Sequence, residues 1–313
     1  MKYVSLGAVY LIWGSTYFAV KIFVEGGGVS PLQLQFARVV CAAALLAVVA
    51  AVVEGARAIR RRPRPSRAIP WKSVAAAAIS GALMWAAGNG FATYSAPHAS
   101  SSFIVMAMGT IPLWSIVVEA FATSRLPSRR TLVGLGVGLV GLGAVVAPGV
   151  LSAAIVDTNY AASTAVMLAA AGLTWAAGTA IQKRTAGSFA PSTLAALQFS
   201  GAALVLAGPV LASSGGVEAS FGESQVIAFG YLVVFGSAIS LSAYAMVVRR
   251  FSPPIASTFA YVNPVVGIIL GALLLDESIQ LLSVFGLALV LAAVFWIVRN
   301  SARDTSVDLR SHP

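Results

Sequence analysis

The sequence predicts an all-α integral membrane protein: ten transmembrane helices arranged as two inverted five-helix repeats, with both termini in the cytoplasm. Three observations predict it. Of 313 residues, 58% are hydrophobic and 10% charged, with mean hydropathy +0.89; a soluble domain carries about 25% charge. Apolar runs long enough to cross a ~30 Å hydrocarbon core in about 20 residues recur along the chain. The basic residues fall almost wholly between alternate runs.

The runs place spans at roughly 4–23, 31–53, 73–95, 99–121, 131–148, 161–181, 190–212, 225–247, 255–275 and 281–298. Closed β-barrels are the other structure that satisfies every backbone polar group in lipid, but their strands alternate with period 2 over about ten residues, and these runs do not. The first run follows Lys2 and continues through Trp13, Tyr17 and Lys21 with no small-x-small cleavage pattern, so it reads as a retained span.

With the N-terminus in the cytoplasm, eighteen of the twenty lysines and arginines fall on that side. Arg57, Arg60, Arg61, Arg62, Arg64, Arg67 and Lys72 follow span 2; Arg125, Arg129 and Arg130 follow span 4. Lys183 and Arg184, Arg249 and Arg250, and Arg299, Arg303 and Arg310 complete the pattern, and the other two, Lys21 and Arg38, lie within spans. Basic residues are retained on the cytoplasmic side, which sets this orientation. The outer segments carry Glu25, Asp157, Glu218, Glu223, Asp276 and Glu277. The net charge of +10 therefore follows topology and excludes nucleic acid as the expected partner. The basic loop 57–72 also suits anionic lipid headgroups. The single cysteine, Cys41, allows no intramolecular disulfide and reads as a small buried hydrophobe.

The chain repeats itself in order. WGSTYFAVK and WAAGTAIQK place Trp13 and Trp175, and Lys21 and Lys183, 162 residues apart. Pro31 and Pro191, which open spans 2 and 7, are 160 apart; Pro112 and Pro264, and Gly134 and Gly286, are each 152 apart. Five spans per half is odd, so the second half enters the membrane upside down, a device of secondary transporters with the substrate site between the halves. The units expected are 1–150, 151–300 and a cytoplasmic tail, 301–313.

LIWGSTYFAVKIFVE, LQFAR, GNGFATYSA and FAYVNPVVGIILGALLLDES together resemble the EamA transporters of the drug/metabolite transporter superfamily, and within it the YedA-type exporters, over about residues 4–298. The resemblance implies a ten-helix inverted-repeat fold in the bacterial inner membrane. It also implies export of small organic metabolites through a central cavity lined by helices 1, 3, 4, 6, 8 and 9. In one place the sequence departs from the pattern: the family often closes the fourth helix with an acid matching Glu277 at the end of the ninth. Here FATSRLPS puts Ser124 near that place and Glu119 falls too early, so the acid is not carried over.

Residues buried at mid-span supply the candidate site. Trp13 and Trp175 lie inside their spans, and an indole N–H at depth needs a partner; both cavity lining and core packing suit them. Ser15, Asn89, Tyr94, Thr110, Ser240, Tyr244, Tyr261 and Asn263 add hydroxyl and amide groups as further cavity candidates. Arg38, with Gln35 one turn before it, is expected to face the interior as a gate or polar anchor, since a cation at a helix centre costs about 2.5–3.5 kcal/mol on insertion scales; pinning the helix is the other reading. Gln198 is its counterpart by the proline alignment. Pro112 and Pro264 each remove a helical hydrogen bond, and either a moving bend or a static kink follows. For Glu119, proton coupling and an interfacial pairing with Arg125 are both open. Glycines of VGLGVGLVGLG and Gly267 with Gly271 suit close packing inside the bundle.

No G-x-x-x-x-G-K-[ST], H-E-x-x-H or G-x-S-x-G occurs, and two histidines with one cysteine do not make a zinc site. The expected function is a secondary-active exporter of small organic metabolites by alternating access, with no cofactor and no metal. An uncoupled facilitator or channel is the alternative, and a membrane enzyme or scaffold a third class. The expected partners are the substrate and the bilayer, and the expected state is a monomer or weak homodimer.

Overall fold

A computed structural model describes residues 2–25, 28–59, 70–95, 98–99, 104, 107–124, 126–152, 158–213, 221–275 and 280–308. Most of the basic loop, with Arg60 to Arg67, and the acids Asp157, Glu218, Asp276 and Glu277 lie outside the described residues, as does Arg125.

Among the described residues the helices longer than one turn, in order, are α1 (Lys2–Glu25), α2 (Pro31–Ile59), α3 (Trp71–Ser95), α4 (Ile111–Thr123) and α5 (Arg129–Ser152). They continue as α6 (Ala161–Thr185), α7 (Pro191–Ala212), α8 (Glu223–Arg250), α9 (Phe259–Leu275) and α10 (Leu281–Asp308). Seven of them are long and apolar enough to cross a membrane by length and composition; Ile111–Thr123 is apolar but short. The fourth expected span, 99–121, lies partly outside the described residues, and its clear helix starts only at Ile111. Val4, Leu11, Val48, Phe121, Leu204, Leu211, Leu273 and Phe295 point outward. So large an apolar exterior suits lipid rather than water.

Small residues set the closest approaches. A Cβ placed on Gly81 of α3 would lie 1.8 Å from Gln198 O of α7, and one on Gly201 of α7 would lie 2.1 Å from Ala78 O of α3. Without side chains at these points the two backbones touch, which is how membrane helices gain dispersion contact. The helices α5 and α10 cross antiparallel: Gly134 meets Ile297, Gly141 meets Val290, and Gly286 meets Val145. Trp296 Nε1 donates to Arg130 O at 3.1 Å and Ser283 Oγ to Val145 O at 3.0 Å along the same seam. First-half helices pair with second-half helices elsewhere too: α1 lies against α8 and α9, α2 against α7, and α4 against α6.

Two helices leave the α register at their centres. Residues Ala82–Gly88 of α3 and Val234–Ile239 of α8 form π turns. They begin 152 residues apart, the offset already seen for the prolines and for Gly134 and Gly286. Neither contains a proline; π turns of this kind occur mostly inside α-helices at working sites.

The two prolines differ in setting. Pro264 is inside α9, five residues after its start, as expected. Pro112 is not in a helix interior: it occupies the first turn of α4, after a turn at Gly109 and Thr110. A first-turn proline loses no hydrogen bond, because that N–H has no helical partner.

Candidate functional site

The bundle centre is an aromatic cluster drawn from both halves. The Trp13 ring of α1 lies 4.8 Å from Phe259, 5.1 Å from Tyr244, 5.6 Å from Trp175 and 6.3 Å from Trp85, centroid to centroid. Trp85 in turn lies 5.9 Å from Trp175 and 4.9 Å from Phe199. All six rings are buried. Most pairs are tilted or edge-on, the arrangement that aromatic quadrupoles prefer.

Polar groups surround this cluster. Trp13 Nε1 donates to Gly236 O at 3.2 Å, in the π turn of α8. Arg38 Nη2 donates to the same oxygen at 2.8 Å, and Ser240 Oγ at 2.7 Å. Arg38 Nε donates to Ser237 Oγ at 2.7 Å, and its guanidinium carbon lies 5.1 Å from the Trp85 ring centroid. Arg38 is thus an interior cation held by oxygens and an aromatic face, 6% exposed. The hydroxyls of Tyr244 and Thr179 are hydrogen-bonded at 3.2 Å. Gln198, the counterpart of Arg38, donates to Ser80 Oγ at 2.9 Å beside the π turn of α3, and Ser80 Oγ donates to Gly178 O at 2.8 Å.

Three buried atoms in and beside this cluster have no hydrogen-bond partner among the described residues: Trp85 Nε1, Trp175 Nε1 and Asn263 Oδ1. Asn263 is one turn beyond Phe259 on α9, on the face where Val266 packs on Gly14 of α1. Unmet donors and an unmet acceptor at the centre of a bundle cost about 1–3 kcal/mol each.

Trp13, Trp175, Tyr244, Ser240 and Arg38 are therefore brought together, with Asn263 beside them. Their rings pack on one another rather than around an open space. Other candidates lie apart. Tyr261 is a correction: two residues from Phe259 it points to the other side of α9, packs on Gly138, and its hydroxyl donates to Leu135 O of α5 at 3.0 Å. Tyr94, 48% exposed, is at the end of α3 away from the cluster. Thr110 donates to Ala107 O at 2.6 Å and lines an apolar lateral groove between α4 and α6 with Trp114 and Leu168. Ser15 is hydrogen-bonded to Ile12 O and to the Tyr231 hydroxyl of α8. Asn89 follows the π turn of α3 and is half-buried. Cys41 is exposed on α2, not buried as expected.

Glu119 pairs with Lys183 of α6 at 3.6 Å; Arg125, the partner expected from the sequence, lies outside the described residues. The pair lines a narrow cleft with Ser115, Thr179, Val248 and Phe251, below the Tyr244–Thr179 contact. Both side chains are about a third exposed, so solvent screens the attraction and the pair is worth only about 0.2–1 kcal/mol. Glu119→Gln is accordingly expected to lower thermal stability by no more than a few degrees in a detergent unfolding assay. A collapse of the fold would contradict this weak pairing.

The model of the EamA-like transporter family matches residues 3–147 and again 162–299. This chain belongs to the EamA-like transporter family. It is a multi-helix membrane transporter and not an enzyme. It is 30% identical over 304 residues to the uncharacterized inner membrane transporter YedA of Escherichia coli (strain K12), covering 93% of this chain and 88% of the relative. The YedA proteins of Escherichia coli O157:H7 and of the O6:H1 strain match equally. A solved crystal structure overlays with a TM-score of 0.76 at 16% identity, covering 96% of this chain and 97% of the other, a likeness of fold.

Trp85, Phe259 and Phe199 were not among the residues singled out from the sequence. Trp85 has Ser237 at its repeat position and so shows no aromatic repeat. The π turns have no composition that marks them.

Proposed function

We propose that the chain is a secondary-active exporter of small organic metabolites, working by alternating access in the bacterial inner membrane. In this reading it has ten transmembrane helices in two inverted halves, 1–150 and 151–300, then a tail at 301–313, with both termini cytoplasmic. The separate family matches to residues 3–147 and 162–299 support the halves, as do the π turns that start 152 residues apart. The name of the YedA relatives supports the inner membrane.

The observation that carries the reading is the central cluster with Trp85 Nε1 and Asn263 Oδ1 unmet. Rings from α1, α3, α6, α8 and α9 meet there, so any shift between the halves would open or close it. Its surfaces suit a flat aromatic or amphipathic solute that offers one donor and one acceptor, amino acids and drugs included. The basic loop at 57–72 would sit on anionic headgroups, and the working unit would be a monomer or weak homodimer.

A thermal-shift screen of the purified protein against a metabolite library identifies the solute, and counterflow in proteoliposomes then tests export. A preference for an inorganic ion would overturn the organic-solute reading. Imposing a pH gradient separates the proton-coupled exporter, with Glu119 as its titrating candidate, from an uncoupled facilitator: only the former builds a substrate gradient.

Pro264 bears on the mechanism. Its ring nitrogen cannot donate to Ala260 O, so α9 is free to bend beside Asn263. Pro264→Ala should therefore keep or raise the unfolding temperature and slow flux several-fold. Unchanged flux in a stable variant would reduce Pro264 to a packing role.

A further inference from the structure

Gln35 and Arg38 are three residues apart on α2, so they project from one face. Each reaches a different helix. Gln35 Nε2 donates to Trp85 O of α3 at 3.3 Å, and Arg38 donates to Gly236 O and Ser237 Oγ of α8 at 2.8 and 2.7 Å.

The two backbone carbonyls are not arbitrary. In an α-helix the N–H of Asn89 would donate to Trp85 O, four residues back. It donates instead to Met84 O, because it closes the π turn. Likewise the N–H of Ser240 would donate to Gly236 O, but it goes to Phe235 O and Ser237 O. Each π turn thus deprives one carbonyl of its α-helical donor, and in each case a side chain of α2 supplies a replacement; at Gly236 O it does so together with Trp13 Nε1 and Ser240 Oγ, and Arg38 alone brings a charged donor from α2. A buried carbonyl left without any donor costs about 1–3 kcal/mol. Without replacements, the π register would be disfavoured against a rewound α-helix.

We propose that Gln35 and Arg38 are positioning residues that form a two-point clamp. From one face of α2 they hold the π turns of α3 and α8 in register and fix the spacing of these helices around the aromatic cluster. Arg38 also braces the Trp85 ring, so the two points are linked. Loss of either point lets its helix change register by one residue, which turns the helix beyond by about 100° and shifts it by about 1.5 Å. On α3 that rotation carries Trp85 away from Trp13 and Trp175. On α8 it carries Gly236 away from Trp13 Nε1. The clamp rests on the transport reading only for what the motion accomplishes, and it is testable without a substrate.

The test is hydrogen–deuterium exchange on the full chain in lipid nanodiscs, followed over peptides spanning 82–95 and 234–245. Arg38→Gln is expected to speed exchange about tenfold in the second peptide, since tenfold corresponds to about 1.4 kcal/mol. Gln35→Met should do the same in the first peptide. Arg38→Lys, which keeps a donor for Gly236 O, should restore part of the protection. The α5–α10 crossing around Gly141 and Gly286 should be unaffected in all of them. Unchanged exchange at both turns, or an equal rise at the α5–α10 crossing, overturns the clamp. If Arg38→Gln does not fold, Arg38→Lys, which loses the fork that reaches Gly236 O and Ser237 Oγ together, should still speed exchange about threefold over the unmodified chain in the second peptide; no change there overturns the clamp as well.

Discussion

Gly81→Ala is expected to destroy the packed bundle. The added Cβ would sit 1.8 Å from Gln198 O, where contact distance is well over 3 Å. The obstacle is backbone, so no rotamer change relieves it. Either α3 and α7 separate by more than ~1 Å or the variant fails to assemble. Separation would break the Gln198–Ser80 and Ser80–Gly178 hydrogen bonds that tie α3 to α7 and α6. Overpacking typically costs about 1–3 kcal/mol, occasionally more, and the lost hydrogen bonds add about 1 kcal/mol each. The expected outcome is little monodisperse protein in detergent, or an unfolding temperature lowered by about 10 °C, which corresponds to about 4 kcal/mol. Gly136→Ala is the control. Nothing lies within 4 Å of a Cβ there, and alanine improves helix propensity by about 0.8–1 kcal/mol. A Gly81→Ala protein as stable as Gly136→Ala would refute the close approach of α3 to α7.

Trp13→Ala carries the second large effect. The side chain touches four other rings and donates to Gly236 O. Truncating a buried tryptophan costs about 3–5 kcal/mol through lost contacts and the cavity left behind. The expected result is a marked drop in thermal stability together with loss of counterflow. Trp13→Phe separates the two effects: it keeps a ring in the cluster and removes only the indole donor. It should lose about 1 kcal/mol of stability and still alter flux if Gly236 O takes part in the access change. Full flux with Trp13→Phe would confine Trp13 to packing.

The all-helical membrane class was legible because its signal is long. Apolar runs are summed over many residues, and most of the helices described follow those runs. The site was only half legible. Trp13 and Trp175 stood out because each repeats the other, and Arg38 because an interior cation is unfavourable. The rest depended on helix phase and register. Tyr261, beside Asn263 and Pro264, looked like part of the same surface, yet two residues along a helix is a turn of about 200°, enough to send it to α5. Trp85 was hidden because the π turn that aims it has no compositional mark. The Glu119–Lys183 pair had no mark in the sequence, because the two meet in space only where α4 packs on α6. Pro112 looked like the twin of Pro264, but it opens a helix after the turn at Gly109 and Thr110.

The α5–α10 crossing has a further consequence. Gly134 meets Ile297, and Val145 meets Gly286. Residues 134 and 286 are 152 positions apart, and so are 145 and 297. Each contact therefore becomes the other when positions are exchanged by that offset. That reciprocity is the mark of an isologous joint, in which one surface meets its own copy across a two-fold axis. A substitution that tightens one contact therefore has a counterpart 152 positions along the chain that should tighten the other, and the two should add.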